Sequence, residues 1–266
     1  MRQGQEGIDK TSPCGLDAQA IKQGLSPFWQ DLAVQVHNSV SSTNDLAKEA
    51  ARQGSVVLMA ACQQTAGRGR RGRSFFSPAG SGLYFSLAFP WQKQESPVLL
   101  TTMAAVASAQ VLEEALDLTI GIKWVNDLYY LKKKVAGILT EAVSREKTSF
   151  MVLGIGINLT PPPQGFPPDL ARKAGSLIEQ ARDLDKGALL CRIVNKLGRI
   201  IQKLPDRTYL DDYRARSFIL GKEVRVETGE IIIPHDISDQ GGLLYWQGQD
   251  LMELDSGQVS LLDYPL

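Results

Sequence analysis

The chain lacks an excess of either charge: 29 Lys and Arg balance 29 Asp and Glu over 266 residues. No global positive field is available to hold a long polyanion. Histidine is scarce, with only His37 and His235, so histidine-based acid–base chemistry is not expected. The three cysteines, Cys14, Cys62 and Cys191, are odd in number and far apart. That fits neither a disulfide framework nor a zinc cluster, and thiols are expected. No apolar run approaches the roughly 20 residues that span a bilayer, and residues 1–10 are too polar for a signal peptide. A soluble, cytoplasmic protein with no membrane partner is therefore expected, and no repeat of fixed period is present.

What the chain does have is a 43% hydrophobic composition, enough for a substantial core, and one unusual run, Gly67-Arg68-Gly69-Arg70-Arg71-Gly72-Arg73. Four guanidinium groups stand on a backbone with little intrinsic preference, because glycine carries no Cβ. Such a segment is expected to be mobile until an anion orders it, and phosphate matches the planar guanidinium fork. In isolation the run reads as a nucleic-acid-binding tail. Strand-like residues flank it, however: Val56-Val57-Leu58-Met59-Ala60-Ala61 before and Leu83-Tyr84-Phe85-Ser86-Leu87-Ala88-Phe89 after. A loop inside a sheet, facing a small ligand, is the better reading.

Along the chain, residues 41–54 read as a capped helix, with Ser42 and Asp45 as a capping box and Gly54 as the stop. Residues 97–116 carry the spacing of a buried helix. Residues 120–127 read as a strand with polar residues at its end. Leu128-Tyr129-Tyr130 and residues 135–141 follow as two strands around the basic turn Lys132-Lys133-Lys134. Residues 150–159 form a further buried strand whose glycines imply close approach of a backbone or ligand. Past the prolines of 161–168, helices are expected over 187–204 and 208–214. Short strands then begin near Phe218 and suggest a small β-barrel.

Ser42-Thr43-Asn44, Gln64 with the Gly67 to Arg73 run, Lys123-Trp124-Val125-Asn126-Asp127, Lys134-Val135-Ala136-Gly137-Ile138-Leu139 and Gly154-Ile155-Gly156-Ile157-Asn158 occur in this order. In order and spacing they resemble the biotin protein ligases, over about residues 34–159. The resemblance implies an α+β fold, with a mixed β-sheet flanked by helices as in class II aminoacyl-tRNA synthetases, and a small C-terminal SH3-like β-barrel. It divides the chain into an N-terminal extension (1–30), a catalytic domain (31–216) and a C-terminal domain (217–266).

The resemblance also implies the chemistry. Biotin and MgATP form biotinoyl-5′-AMP, and a lysine of a biotin carboxyl carrier protein, such as the carrier domain of acetyl-CoA carboxylase, then takes the biotin. ATP and Mg2+ act as co-substrate and activator, with no tightly bound prosthetic group. Lys134 and Arg70 are the implied catalytic residues. Ser42, Thr43, Asn44, Gln64, Arg68 and Gly69, with Arg70 and Lys134, are implied to bind biotin. Arg68, Arg70, Arg71, Arg73, Phe75, Asn126 and Asn158 are implied to bind ATP, with Phe75 stacking on the base. Asp127 is the candidate for Mg2+ or for positioning Lys123, and Trp124 is either a wall of the site or part of the core.

Two departures stand out. Val125 replaces the usual proline of Lys-Trp-Pro-Asn-Asp, and Leu262 replaces a frequent arginine, which weakens the case for the tail in ATP binding. About thirty residues precede the catalytic pattern, too few for the winged helix of bifunctional relatives, so a monofunctional ligase that does not bind DNA is expected. A homodimer is left open. A lipoate–protein ligase, with the same fold and a central lysine, and a nucleic-acid-binding module are the alternatives.

Overall fold

Alternating helical and strand periodicities build a layered arrangement of helices around one mixed sheet. The computed structural model describes residues 12–91, 96–145, 148–179, 184–255, 257 and 259–262. In chain order it contains α1 (Ala18–Gly24), β1 (Ala33–His37), α2 (Thr43–Arg52), β2 (Val57–Ala61), β3 (Gly82–Trp91), α3 (Pro97–Leu116), β4 (Gly121–Lys123), β5 (Asp127–Tyr130), β6 (Lys133–Arg145), β7 (Thr148–Asn158), α4 (Lys186–Gln202) and α5 (Tyr209–Arg216). The seven strands run in the order β1-β2-β3-β7-β6-β5-β4. Only β1 and β2 pair in parallel; the other neighbours are antiparallel.

Helices cover both faces, which is why the central strands read as continuous apolar runs rather than alternating ones. On one face Ala47 and Ala51 of α2 pack on Val57, Met59, Ala88 and Val152. On the other lie α3 and, outside it, α4. The bounds of α3 coincide with the sequence expectation. Contrary to that reading, α3 is long and apolar enough to cross a membrane. It is apolar all round because it is sandwiched between the sheet and α4, as expected for a buried core helix.

The turn between β5 and β6 is shorter than expected. Only Leu131 and Lys132 form it, both at positive φ (45° and 65°), as a two-residue hairpin requires. Lys133 and Lys134 therefore belong to β6 and not to the turn. A register shift between Leu128 and Tyr129 inserts one extra residue into the pairing. As a bulge does, it re-aims the side chains beyond it. Lys134 and Gly137, three residues apart, consequently share a face: a Cβ on Gly137 would lie 3.3 Å from Lys134 Nζ.

The expected strand at 120–127 is interrupted. Its end is the loop Trp124-Val125-Asn126 between β4 and β5, and the Trp124–Val125 peptide is cis.

Cys14 and Cys62 are joined in a disulfide with Cα atoms 5.4 Å apart, which overturns the expectation of thiols for these two. A sequence separation of 48 hid a pairing that the fold creates by laying the N-terminal segment against the end of β2. Cys191 is a free, buried thiol.

Beyond α5 the chain forms β8 (Val224–Val226), β9 (Ile231–Ile232), β10 (Pro234–Ile237), β11 (Leu243–Gln247), β12 (Asp250–Leu254) and β13 (Val259–Leu261). They make two three-stranded antiparallel sheets, β10-β11-β12 and β13-β8-β9. This is consistent with the expected SH3-like domain, although the described strands do not pair into one closed barrel. Several contacts fix it to the rest of the chain, among them the following. Trp124 Nε1 donates to Gly241 O at 2.9 Å, Arg214 Nη2 to Ile237 O at 2.6 Å and Arg214 Nε to Asp236 Oδ1 at 2.9 Å. Buried Trp124 is thus both core and strut.

Candidate active site

Two open clefts, with about 440 and 580 Å³ of empty space, share a wall, the first lying over the interior of β3, β6 and β7. The first is built on the N-terminus of α2. Ser42 caps that helix, its Oγ accepting from Asp45 N at 3.4 Å, so the expected cap is present. The reciprocal half of the capping box is not used, because the Asp45 carboxylate turns to Lys48 and Arg68 instead.

Thr43 N and Oγ1 both donate to Gln64 Oε1, at 2.8 and 3.1 Å. Ser86 Oγ donates to Asn44 Oδ1 at 2.6 Å. Gln64 Nε2 donates to Ser77 Oγ at 2.9 Å. Ser42, Thr43, Asn44 and Gln64 line this cleft together with Arg68 and Gly69. It presents mixed donors and acceptors beside apolar Phe85 and Ile155.

The glycines of β7 make room for it. A Cβ on Gly154 would collide with Asn44 Oδ1, and one on Gly156 with the Phe75 ring. The close approach expected from these glycines is therefore made by two of the site's own side chains.

The second cleft is cationic. Arg71, Arg73 and Lys123 line it, with Asp127, Trp124 and Val259. Arg71, which has φ of 58°, is ion-paired with Glu227 of the C-terminal segment.

Gly69, Arg70, Phe75, Asn126 and Lys134 line both clefts and form their common wall. Here Arg70 Nη1 donates to Asn126 Oδ1 at 3.3 Å, and Asn126 Nδ2 donates to Ile138 O at 3.0 Å. Lys134 Nζ lies 2.6 Å from Asp127 Oδ1.

The charges respond to this crowding. Burial, then the charge of Arg71, lowers the Arg70 guanidinium from its ordinary value. Burial also lowers Lys123; Asp127 opposes the shift while Lys134 and Arg73 add to it. Cations held in partial desolvation bind an incoming anion more strongly than exposed ones do.

Asn158 is buried, donates to Gly175 O at 3.1 Å and lines neither cleft; its amide ties β7 to the following loop. Arg68 lines the first cleft but not the second. Asp127 does not fit as a dedicated Mg2+ ligand, since its carboxylate is engaged by Lys134. Among the described residues no group of three or more His, Cys, Asp or Glu could hold a metal. The arrangement fits Mg2+ carried chiefly by nucleotide phosphates, with few protein ligands.

The profile of the Biotin/lipoate A/B protein ligase family matches residues 36–158, the span that contains every residue of the common wall. The chain is 32% identical over 261 residues to the biotin–[acetyl-CoA-carboxylase] ligase of Mycobacterium tuberculosis, covering 92% of this chain and 95% of that one. The chain belongs to the biotin protein ligase family. Among the family's solved members, biotin protein ligase from Aquifex aeolicus in complex with biotin and ATP superposes with a TM-score of 0.72 at 27% identity. That match covers 86% of this chain and 97% of that one. The bifunctional ligase/repressor BirA of Bacillus subtilis is 36% identical over 190 residues, which cover 68% of this chain but 58% of that protein.

Within this member of the family, sequence reasoning passed over Ser86, Lys48 and Glu141, and it gave Asp45 a helix-capping role alone. A serine and a glutamate inside strands carry no motif, and Lys48 reads as the solvated face of α2. Lys123 was noted only as a neighbour of Asp127, although its place in the Lys-Trp-Val-Asn-Asp motif was the available signal.

Proposed function

We propose that the chain is an ATP-dependent biotin–[biotin carboxyl-carrier protein] ligase. It joins biotin and ATP into biotinoyl-5′-AMP and pyrophosphate, then passes the biotin to a lysine of a carrier domain. One observation carries the reading: Arg70 and Lys134 stand on the wall shared by a polar-apolar cleft and a cationic one.

Forming the adenylate requires a carboxylate to approach a phosphate against their mutual repulsion. A carboxylate oxygen of biotin attacks the α-phosphorus, and the bond to the bridging oxygen of pyrophosphate breaks. Cations fixed between the two anions screen the approach and stabilise the charge that develops in transit. Lys134, a compact ammonium held by Asp127, does this at the reacting atoms, and Arg70 holds the carboxylate end. In the second step the amine of the carrier lysine attacks the acyl carbon, AMP leaves and the amine loses a proton.

Biotin's ureido ring has two N–H donors and a carbonyl acceptor on an apolar bicycle, which suits Ser42, Thr43, Asn44 and Gln64. Arg73 and Lys123 face the departing pyrophosphate, and Arg71 reaches it when released from Glu227. Phe75 offers its ring to the base and Asn126 its amide to the nucleotide. Mg2+ supplies charge neutralisation on the triphosphate. In this reading 31–216 carries the chemistry and 217–266 closes the nucleotide side through Gly257 and Val259. The partner is a carrier protein in the cytoplasm and not DNA, as the balanced charge supports.

The test is incubation of the chain with ATP, a carrier domain and either biotin or lipoate, read by mass spectrometry of the carrier. A biotinyl increment on one lysine is expected. A lipoyl increment alone would move the chain to the lipoate branch of the family, and no increment with either acid would overturn the proposal.

A further inference from the structure

A continuous chain of polar contacts leaves the Arg-Gly loop at Arg68 and returns to it at Phe75. Arg68 Nε donates to Asp45 Oδ2 at 3.0 Å. Lys48 Nζ bridges Asp45 Oδ1 at 3.0 Å and Glu141 Oε1 at 3.1 Å. Asn44 Nδ2 donates to the other oxygen of Glu141 at 2.9 Å. From Asn44 the contacts pass through Ser86, Thr43 and Gln64 to Ser77, whose Oγ donates to Phe75 O at 2.9 Å. Four elements, α2, β3, β6 and the loop itself, are joined in one ring around the first cleft.

Neither Asp45 nor Glu141 lines that cleft. We propose that Asp45 and Glu141 are positioning residues. Joined by Lys48, they hold Arg68 of the loop in register with Asn44 of the head-group pocket, so that loop and pocket move as one unit. The kinetic consequence rests on the reading of the first cleft as the biotin site.

The glycines at 67, 69 and 72 give the loop little intrinsic preference, and a few internal bonds such as Gly69 N to Arg73 O and Phe75 N to Gly67 O shape it, so added side-chain restraints on Arg68 bear on how firmly it is held. An isolated surface ion pair restrains little. Here Asp45, Lys48 and Glu141 each serve two partners at once, and a shared network holds geometry better than its separate pairs. The titration behaviour agrees. Burial pushes Asp45 up, but hydrogen bonds and charge from Lys48 and Arg68 outweigh it and leave the carboxyl below its ordinary value. Lys48 is correspondingly held above its own by Asp45 and Glu141, against the opposing effect of burial.

The decisive substitution is Glu141→Gln, because Glu141 makes none of the loop contacts itself and the amide keeps an acceptor for Asn44. Tryptic cleavage within 66–76 of the ligand-free chain reads the relay without any substrate. Glu141→Gln and Asp45→Asn should each raise the cleavage rate about three- to fivefold, with the thermal midpoint and cleavage elsewhere unchanged. The double variant should do no more than the larger single one. Lys48→Met, which breaks the same link from the helix side, should reproduce the effect and covers the case in which Glu141→Gln folds poorly. Wild-type cleavage rates in Glu141→Gln and Lys48→Met, or effects that multiply, would overturn the relay. In steady-state assays the same variants should raise KM for biotin several-fold and leave kcat within about twofold. A wild-type chain with no biotin-dependent activity would overturn the ligase reading and the kinetic half of this proposal, whereas the proteolysis judges the relay itself.

Discussion

Lys134 Nζ stands 2.6 Å from Asp127 Oδ1 on the wall common to both clefts. The carboxylate fixes a flexible four-carbon stem that would otherwise sample several rotamers, and it lines the second cleft but not the first. Asp127→Asn keeps the shape and removes the restraint. Adenylate formation should fall about 10- to 100-fold, the range expected when a reacting group is misplaced by about an ångström. Pyrophosphate release checks this, and unchanged kcat would show that Lys134 needs no positioning by Asp127.

Arg70 holds one end of the same wall, bonded to Asn126, and belongs to the loop and not to the core. Arg70→Ala should therefore spare stability while the adenylate dissociates about 10- to 100-fold faster, as for the loss of one charged hydrogen bond. Released adenylate would label lysines indiscriminately. Filter-binding dissociation rates and mass spectrometry of a bystander protein test both consequences; wild-type retention would remove Arg70 from the binding machinery.

Lys123 gives a pH signature. Burial, reinforced by Lys134 and Arg73 against the pull of Asp127, lowers its ammonium below the ordinary 10.5. Between that lowered value and 10.5 the unfolded chain holds a proton that the native chain has shed, so Lys123 by itself makes stability rise with pH across the interval. An arriving polyanion favours the charged form and restores the proton. Pyrophosphate binding should thus take up protons on the alkaline side, and affinity should fall as pH rises through the lowered value. Calorimetry in two buffers of different ionisation enthalpy measures the uptake, and zero uptake throughout would contradict the assignment.

The Cys14–Cys62 disulfide closes a loop of 48 residues. Chain-entropy arguments put the stabilisation of such a loop at about 4 kcal/mol at most. Reduction with dithiothreitol, or Cys14→Ser, should lower the urea midpoint without changing the chemistry at Lys134. Identical midpoints for oxidised and reduced protein would show that the tie contributes nothing.

How far the fold could be read from the sequence depended on the range of the interactions concerned. Helix α3 was found to the residue because Ser96 caps it, Pro97 starts it and its apolar spacing is unbroken. The cap of α2 at Ser42 was equally local. Strands β10 and β12 escaped, since Pro234 breaks the pattern of one and four of the five residues of the other are exposed. Lys134 reads from the sequence as part of a turn but lies on β6, because three consecutive lysines do not reveal which two residues take positive φ. Asn158 belongs to a motif that the sequence shows, but only the tertiary structure reveals its amide turned toward Gly175. Asp45 and Glu141, 96 positions apart in the sequence, meet through Lys48 only when β6 passes beneath α2.

The most direct test of the account is biotin-dependent pyrophosphate release by Lys134→Met, with Lys132→Met and Lys133→Met measured beside it. Methionine keeps much of the length and deletes the cation. Lys132 lies in the hairpin turn, and Lys133 Nζ donates to Ala171 O at 3.2 Å, so both controls change the same charge away from the common wall. The account predicts a loss of about 100- to 1,000-fold confined to Lys134→Met, the scale of removing one donor aimed at a developing oxyanion. Equal and modest losses in all three variants would mean that the hairpin supplies only diffuse field, and would contradict the assignment of Lys134 to the reacting carboxylate and phosphate.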